Sequence, residues 1–213
     1  MQDAKSIETD FSDISLETFG SHLLFGDIDN DSIKDAVEFI VKANNLKMPA
    51  EVLTLYINSP GGTMTDGFGL IDIMQLSRLP IRTFGLGVIA SMGVYIICAG
   101  SKGKRSMSRN TEVMAHQFSA GFEGKHHELV SINRAMQYAE ALTIRHFLKF
   151  SNMDEKQIKD ILFSPTDRFL TPAECKKLGL IDTIVDELPE DMDLVNFFSQ
   201  PTAKPRRRPA IKK

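Results

Sequence analysis

Ser91 stands in the longest uncharged stretch of the chain, TFGLGVIASMGVYIICAGS at 83–101, where a strand pattern gives way to a helix pattern. A serine there has two readings. As a helix N-cap its hydroxyl would satisfy a free backbone N–H, a role serine fills well. As a nucleophile it would use the free N–H groups and positive end of the helix, which favour a developing anion. The apolar setting strengthens such donors. The α/β-hydrolase elbow G-x-S-x-G is not matched, because position 89 is Ile.

A serine nucleophile needs a base, and histidine is the usual one. The chain has five histidines: His22, His116, His126, His127 and His146. His146 falls on a long helix and reads as a solvated side chain. His126 and His127 are adjacent and point apart, and no H-E-x-x-H or paired-cysteine spacing supports a metal. His116 closes a strand, EVMAH at 112–116, directly before a glycine-containing segment, FSAGFEGK at 118–125. Strand ends beside loops are where α/β proteins place chemistry. A third group must orient the imidazole, and composition does not choose among the many carboxylates.

The elements that must hold these residues follow from periodicity. HLLFG at 22–26 reads as a strand, 31–44 as a helix and the apolar run VLTLYI at 52–57 as a strand buried on both faces. NSPGG at 58–62 reads as a loop. A helix over 66–78, a strand over 81–86 and a buried helix over 91–99 come next. Short strands follow at 104–108 and 112–116, then a long helix at 127–151. Shorter helices at 155–163 and 172–178 precede a strand at 180–185. Alternating strands and helices mean an α/β fold with a largely parallel sheet. The expected division is an N-terminal segment over 1–20, one domain over 21–190 and a tail over 191–213.

Composition removes several classes of function. A chain of 213 residues with 42% hydrophobic side chains can bury a core without a metal or disulfide staple. Two cysteines, Cys98 and Cys175, are too few for a disulfide framework, which points to a reducing compartment and a cytoplasmic protein. No targeting segment is visible. Glycines interrupt the uncharged stretch at 85, 87, 93 and 100, so it does not read as a membrane span. GSKGKRS at 100–106 is not a P-loop, since Arg follows the Gly-Lys pair, and no nucleotide is expected. Net charge is −3, yet KPRRRPAIKK at 204–213 holds six basic residues and no acid. Such a tail reads as solvated and disordered, with no nucleic acid expected.

INSPGG at 57–62, ASMG at 90–93, AGSKGKR at 99–105, MAHQ at 114–117 and DRFLTPAE at 167–174, in this order, resemble the proteolytic subunit of the Clp protease, ClpP. The resemblance covers about residues 22–188. It implies an α/β ClpP/crotonase-type spiral of repeated β-β-α units with a protruding helix-strand handle. It implies a serine endopeptidase with Ser91 as nucleophile, His116 as general base and Asp167 orienting it. Gly62 and Met92 would supply the N–H groups of the oxyanion hole. Gly61 and the segment Phe118, Ser119, Ala120, Gly121 would bind an extended peptide, whose backbone hydrogen bonds demand little of its sequence. The family assembles as two stacked heptameric rings, to which an AAA+ ATPase feeds unfolded protein. ATP would be used by that partner, and this chain would need no cofactor or metal.

The chain departs from the family's pattern in places. The stretch KDILFSPTD before Asp167 is about two residues longer, which leaves Asp160, or no carboxylate, as alternatives for orienting the base. Phe118 replaces a proline after His-Gln. Thr54, Ser106 and Ser108 replace apolar residues of the ATPase-docking clefts, and residues 1–21 do not match the family's N-terminus. Two other readings compete: a non-catalytic structural ring subunit, and an acyl-CoA enzyme of the related crotonase fold. The Ser–His pair favours the peptidase.

Overall fold

The computed structural model describes residues 15–46, 50–119 and 125–187. One turn of 3-10 helix at Leu16–Phe19 leads into a mixed α/β fold. Five strands line up as β1 (Ser21–Ile28), β2 (Leu53–Gly62), β3 (Ile81–Ala90), β4 (Arg105–Ser108) and β7 (Thr183–Val185), each parallel to its neighbour. β5 (Glu112–Ala115) pairs in parallel with the far half of β3. β6 (Arg168–Leu170) lies antiparallel on β5. Three residues are too few to show an alternating pattern, and β6 is absent from the sequence reading.

Parallel strands need crossovers, and helices supply them. α1 (Asn30–Asn45) starts at a capping box in which Asp29 accepts from the Ser32 N–H at 2.9 Å and Ser32 Oγ from the Asp29 N–H at 3.1 Å. Its buried residues Ile33, Ala36, Phe39, Ile40 and Ala43 form one stripe. α2 (Met64–Leu76) follows β2, and α3 (Met92–Cys98) follows β3 with all seven residues buried. As the apolar run predicts, β2 is buried on both faces from Leu53 to Tyr56.

Two strands run further than the pattern indicates. NSPGG is not a loop: β2 continues through it to Gly62, and β3 extends to Ala90. Side chains replace ladder bonds where the register shifts between Ile57 and Ser59. Asn58 Oδ1 accepts from the Val88 N–H at 3.0 Å, and Ser59 Oγ from the Gly61 N–H at 3.0 Å.

α4 (His126–Phe150), α5 (Glu155–Leu162) and α6 (Pro172–Leu178) complete the helices of the described residues. Only the C-terminal part of α4 packs into the core, through Thr143, His146 and Phe147. Val130 and Tyr138 nearer its start are exposed. His146 is therefore not solvated; it is 5% exposed, and Nε2 donates to the Tyr95 carbonyl of α3 at 3.1 Å. Buried Arg105 ties β4 to α3, α4 and the residue before β7: its guanidinium binds both carboxylate oxygens of Asp182, at 2.6 and 3.0 Å, and the carbonyls of Cys98 and Phe150. No helix among the described residues is long and apolar enough to cross a membrane. The expected basic tail lies outside the described residues.

Candidate active site

The residues singled out for chemistry sit one step beyond the paired ends of three neighbouring strands. Ser91 follows β3, and His116 follows β5. In open parallel sheets the C-terminal strand ends are where ligands are bound. The Ser91 N–H donates to the Met114 carbonyl at 2.9 Å, so the β3–β5 ladder holds the serine beside the chain leading to His116. His116 Nε2 lies 2.8 Å from Ser91 Oγ. The two are 25 residues apart in sequence.

Ser91 is not acting as a side-chain cap. It occupies the N-cap position of α3, but its hydroxyl makes no capping bond and is spent on the imidazole. Its backbone stands at φ 51°, the only positive φ among the described residues other than glycines. Such a conformation costs on the order of 1–3 kcal/mol and persists only where the surroundings impose it. Here a β-strand ends on the residue that starts a helix, and the turn lifts the hydroxyl toward His116. The G-x-S-x-G motif is absent, yet a strained strand-to-helix turn is present.

Two glycines let β2 approach its neighbours closely, Gly61 at this turn and Gly62 at β1. A Cβ on Gly61 would stand 2.5 Å from Ser91 Cβ, and one on Gly62 would stand 2.2 Å from the Ile28 carbonyl oxygen. Both have positive φ, at 103° and 150°. The backbone of β2 can therefore lie against the serine at Gly61, and against β1 at Gly62, only without a side chain. Met92 opens α3, so its N–H belongs to the helix's free first turn.

A small cleft of about 40 Å³ opens at the pair, lined by Gly62, Met64, Ser91, Met92, Tyr95, His116 and Phe118. Apart from the serine and histidine its side chains are apolar or aromatic. Met64 and Tyr95 escaped the sequence reading. Tyr95 had a usable signal, since it follows Ser91 by four residues and shares its helix face. Burial pushes the Tyr95 phenol above its ordinary range, and its hydroxyl pairs with Thr143 Oγ1 at 3.3 Å. A larger cleft of about 550 Å³, between the ends of α2 and α4, holds none of the candidate residues.

Asp167 immediately precedes β6, where Ala115 faces Arg168. One further step of that antiparallel register sets Asp167 opposite His116, but its side chain is exposed and makes no hydrogen bond to the imidazole among the described contacts. Asp160 lies on α5 and is exposed as well. Of the expected peptide-binding residues, Gly61, Phe118 and Ser119 border the site by position, while Ala120 and Gly121 lie outside the described residues. No cluster of three or more metal-binding side chains occurs among the described residues.

Known proteins are similar to this sequence. It is 39% identical over 137 residues to the "ATP-dependent Clp protease proteolytic subunit 3, chloroplastic" of Arabidopsis thaliana, covering 63% of this chain and 43% of that protein. It is 37% identical over 144 residues to "ATP-dependent Clp protease proteolytic subunit 2" of a Synechococcus species, covering 66% of this chain and 71% of the relative. The match thus spans less than half the plastid relative's length and about seven tenths of the cyanobacterial one's. Residues 16–188 match the family described as Clp protease, which carries the ClpP-type α/β fold seen here. The chain belongs to the Clp protease family.

Proposed function

We propose that this chain is a serine-type endopeptidase, the proteolytic subunit of an ATP-dependent Clp-type protease. The observation that carries the reading is the 2.8 Å contact between His116 Nε2 and the hydroxyl of a serine held at positive φ. In the reaction, Ser91 Oγ attacks the scissile carbonyl while His116 Nε2 takes its proton. The resulting oxyanion accepts hydrogen bonds from the Gly62 and Met92 N–H groups. His116 then gives the proton to the departing amine, and water repeats the sequence on the acyl-enzyme. Asp167 orients the imidazole and stabilises its cation.

The substrate is an extended, unfolded chain, bound through backbone hydrogen bonds by Gly61 and residues 118–121. Family membership implies oligomers that associate with Clp ATPases; the finer proposal is two stacked heptameric rings. The exposed Val130, Tyr138 and Leu148 of α4 support it, because one subunit leaves that apolar surface uncovered. The chain itself uses no cofactor, and ATP is spent by the partner. Cys98 and Cys175 are free and buried, which fits a reducing compartment such as the cytoplasm. Polar Thr54, Ser106 and Ser108 stand where the family's ATPase-docking clefts are apolar.

A serine-directed fluorophosphonate combined with light scattering tests this reading. One adduct per subunit, on Ser91, in a particle of roughly fourteen subunits is expected. Absence of any adduct on the folded protein contradicts the peptidase and favours a structural subunit. A monomer at tens of micromolar contradicts the rings.

A further inference from the structure

Every one of the seven residues of α3, Met-Gly-Val-Tyr-Ile-Ile-Cys, is buried, and Tyr95 carries the only hydroxyl among them. Burying a hydroxyl is unfavourable unless it finds a partner, and a phenylalanine would fill the same space without that cost. The Tyr95 hydroxyl pairs with Thr143 Oγ1 of α4 at 3.3 Å, and Thr143 is itself fully buried. One turn further along α4, His146 Nε2 donates to the Tyr95 carbonyl at 3.1 Å, an oxygen that also accepts from the Ala99 N–H at 3.2 Å. One residue of α3 is thus gripped by its side chain and by its main chain from the same face of α4.

Packing surrounds the tyrosine without fixing its direction. Phe68 of α2 and Phe147 of α4 meet its ring edge-on, with centroids 5.8 and 4.8 Å away. Apolar burial is non-directional. A satisfied buried polar network, by contrast, rigidifies the elements that it joins. Among the described residues, the other side chains bonded to α3 and its C-cap are Thr83, Arg105 and Gln75, which reach the carbonyls of Ile97, Cys98 and Ala99 at the far end of the helix. Tyr95 stands nearer the opposite end, one turn after Ser91 and three residues after Met92.

We propose that the Tyr95–Thr143 hydrogen bond is a positioning device for the reaction: it fixes the first turn of α3 against α4, and with it the Ser91 hydroxyl and the Met92 N–H. The inference rests on the peptidase reading above. Tyr95 and Thr143 are positioning residues, since their hydroxyls act on the reacting carbonyl only through Ser91 and Met92.

Tyr95→Phe and Thr143→Val each delete one hydroxyl and keep the side chain's shape, so the ring that lines the cleft stays in place. The measurements are kcat and KM on one fluorogenic peptide, the rate at which a fluorophosphonate labels Ser91, and the urea midpoint. Each variant should lose about tenfold to 10²-fold in kcat, the scale of a misplacement of up to about 1 Å. KM should hardly move, since the bond matters in the transition state. Labelling should slow by the same factor, because it needs the same serine and no bound peptide. Thr143→Ser keeps a hydroxyl and should restore most of kcat.

The double variant separates positioning from stability. Each single change leaves one buried hydroxyl unpaired and lowers the urea midpoint, whereas replacing both partners by apolar groups of the same shape is nearly neutral. The double variant should therefore regain the midpoint yet keep the loss in kcat, no deeper than in either single variant. A kcat that recovers together with the midpoint means a merely structural bond and overturns the proposal. So does a wild-type kcat in Tyr95→Phe, a change confined to KM, or a Thr143→Ser variant as slow as Thr143→Val. If one single variant does not fold, the other and the double decide. A folded wild-type protein that cleaves no peptide and takes no label at Ser91 contradicts the peptidase reading itself, a result separate from anything measured on these variants, and this inference falls with it.

Discussion

The Ser91 N–H donates to the Met114 carbonyl at 2.9 Å, carrying the β3–β5 ladder one residue past its last pair, Ala90 and Met114. Sheet register, not loop conformation, thereby sets the distance between the serine and the imidazole two residues after Met114. The same logic extends to β6, whose register with β5 brings Asp167 level with His116.

Asp167→Asn should therefore lower turnover by about 10⁴-fold, because an amide can hold the imidazole in the wrong tautomer. Apparent substrate affinity should change far less, since the interaction matters mainly in the transition state. Steady-state kinetics on one peptide checks this. If Asp160→Asn produces the loss instead, the orienting role moves to α5; if neither does, the site works as a Ser–His pair.

Gly61→Ala tests the close approach of β2 to the serine. The added methyl would begin 2.5 Å from Ser91 Cβ at a backbone φ of 103°. Displacing a reacting group by about 1 Å can cost about 10²-fold in rate, and a loss of at least that size is expected in kcat. The urea midpoint should fall too, by an equivalent of about 1–3 kcal/mol. Activity within twofold of wild type would contradict the packing described.

His146 gives a pH dependence with a definite sign. It sits among Phe68, Tyr95, Phe147 and Phe150, and burial drives its pKa from the ordinary 6.5 down to about 3, with the positive charge of Lys149 acting in the same direction. The bond to the Tyr95 carbonyl opposes the shift but is outweighed. The unfolded chain takes up a proton below about pH 6.5 that the folded protein refuses until about pH 3. Its contribution to stability is thus complete above pH 6.5 and declines as the pH falls toward 3, by about 1.4 kcal/mol per unit. Denaturant melts of wild type and His146→Gln at pH 7.0, 5.5 and 4.5, values roughly spanning the titration window, should show a shallower decline in the variant. Parallel slopes would mean that the histidine is not buried neutral.

The pieces of the candidate site were readable from local sequence because each lies at an element boundary. Ser91 opens an apolar helix pattern, His116 closes a short strand, and glycines at 61 and 62 mark a close approach. What stayed hidden depends on packing between distant segments. His146 looks like any polar residue on a long helix until α4 is laid across α3, and then its ring completes an aromatic cluster. NSPGG has a loop's composition, and only the side chains of Asn58 and Ser59, bonding where the ladder shifts, keep it in the sheet. β6 is too short for any period. Phe118 and Phe163, whose rings meet edge to face, belong to two segments that nothing local relates.

The most direct measurement is the cleavage rate of a fluorogenic peptide by Ser91→Ala against wild type, with assembly and folding checked by light scattering and circular dichroism. The hydroxyl at position 91 is the one covalent nucleophile invoked. The variant should keep the wild-type fold and particle size and lose roughly 10⁴-fold or more in kcat, with His116→Ala falling to a similar level because residues of one unit give non-additive losses. A folded Ser91→Ala protein that cleaves the peptide at the wild-type rate would show that Ser91 only begins a helix, and that the chemistry lies elsewhere.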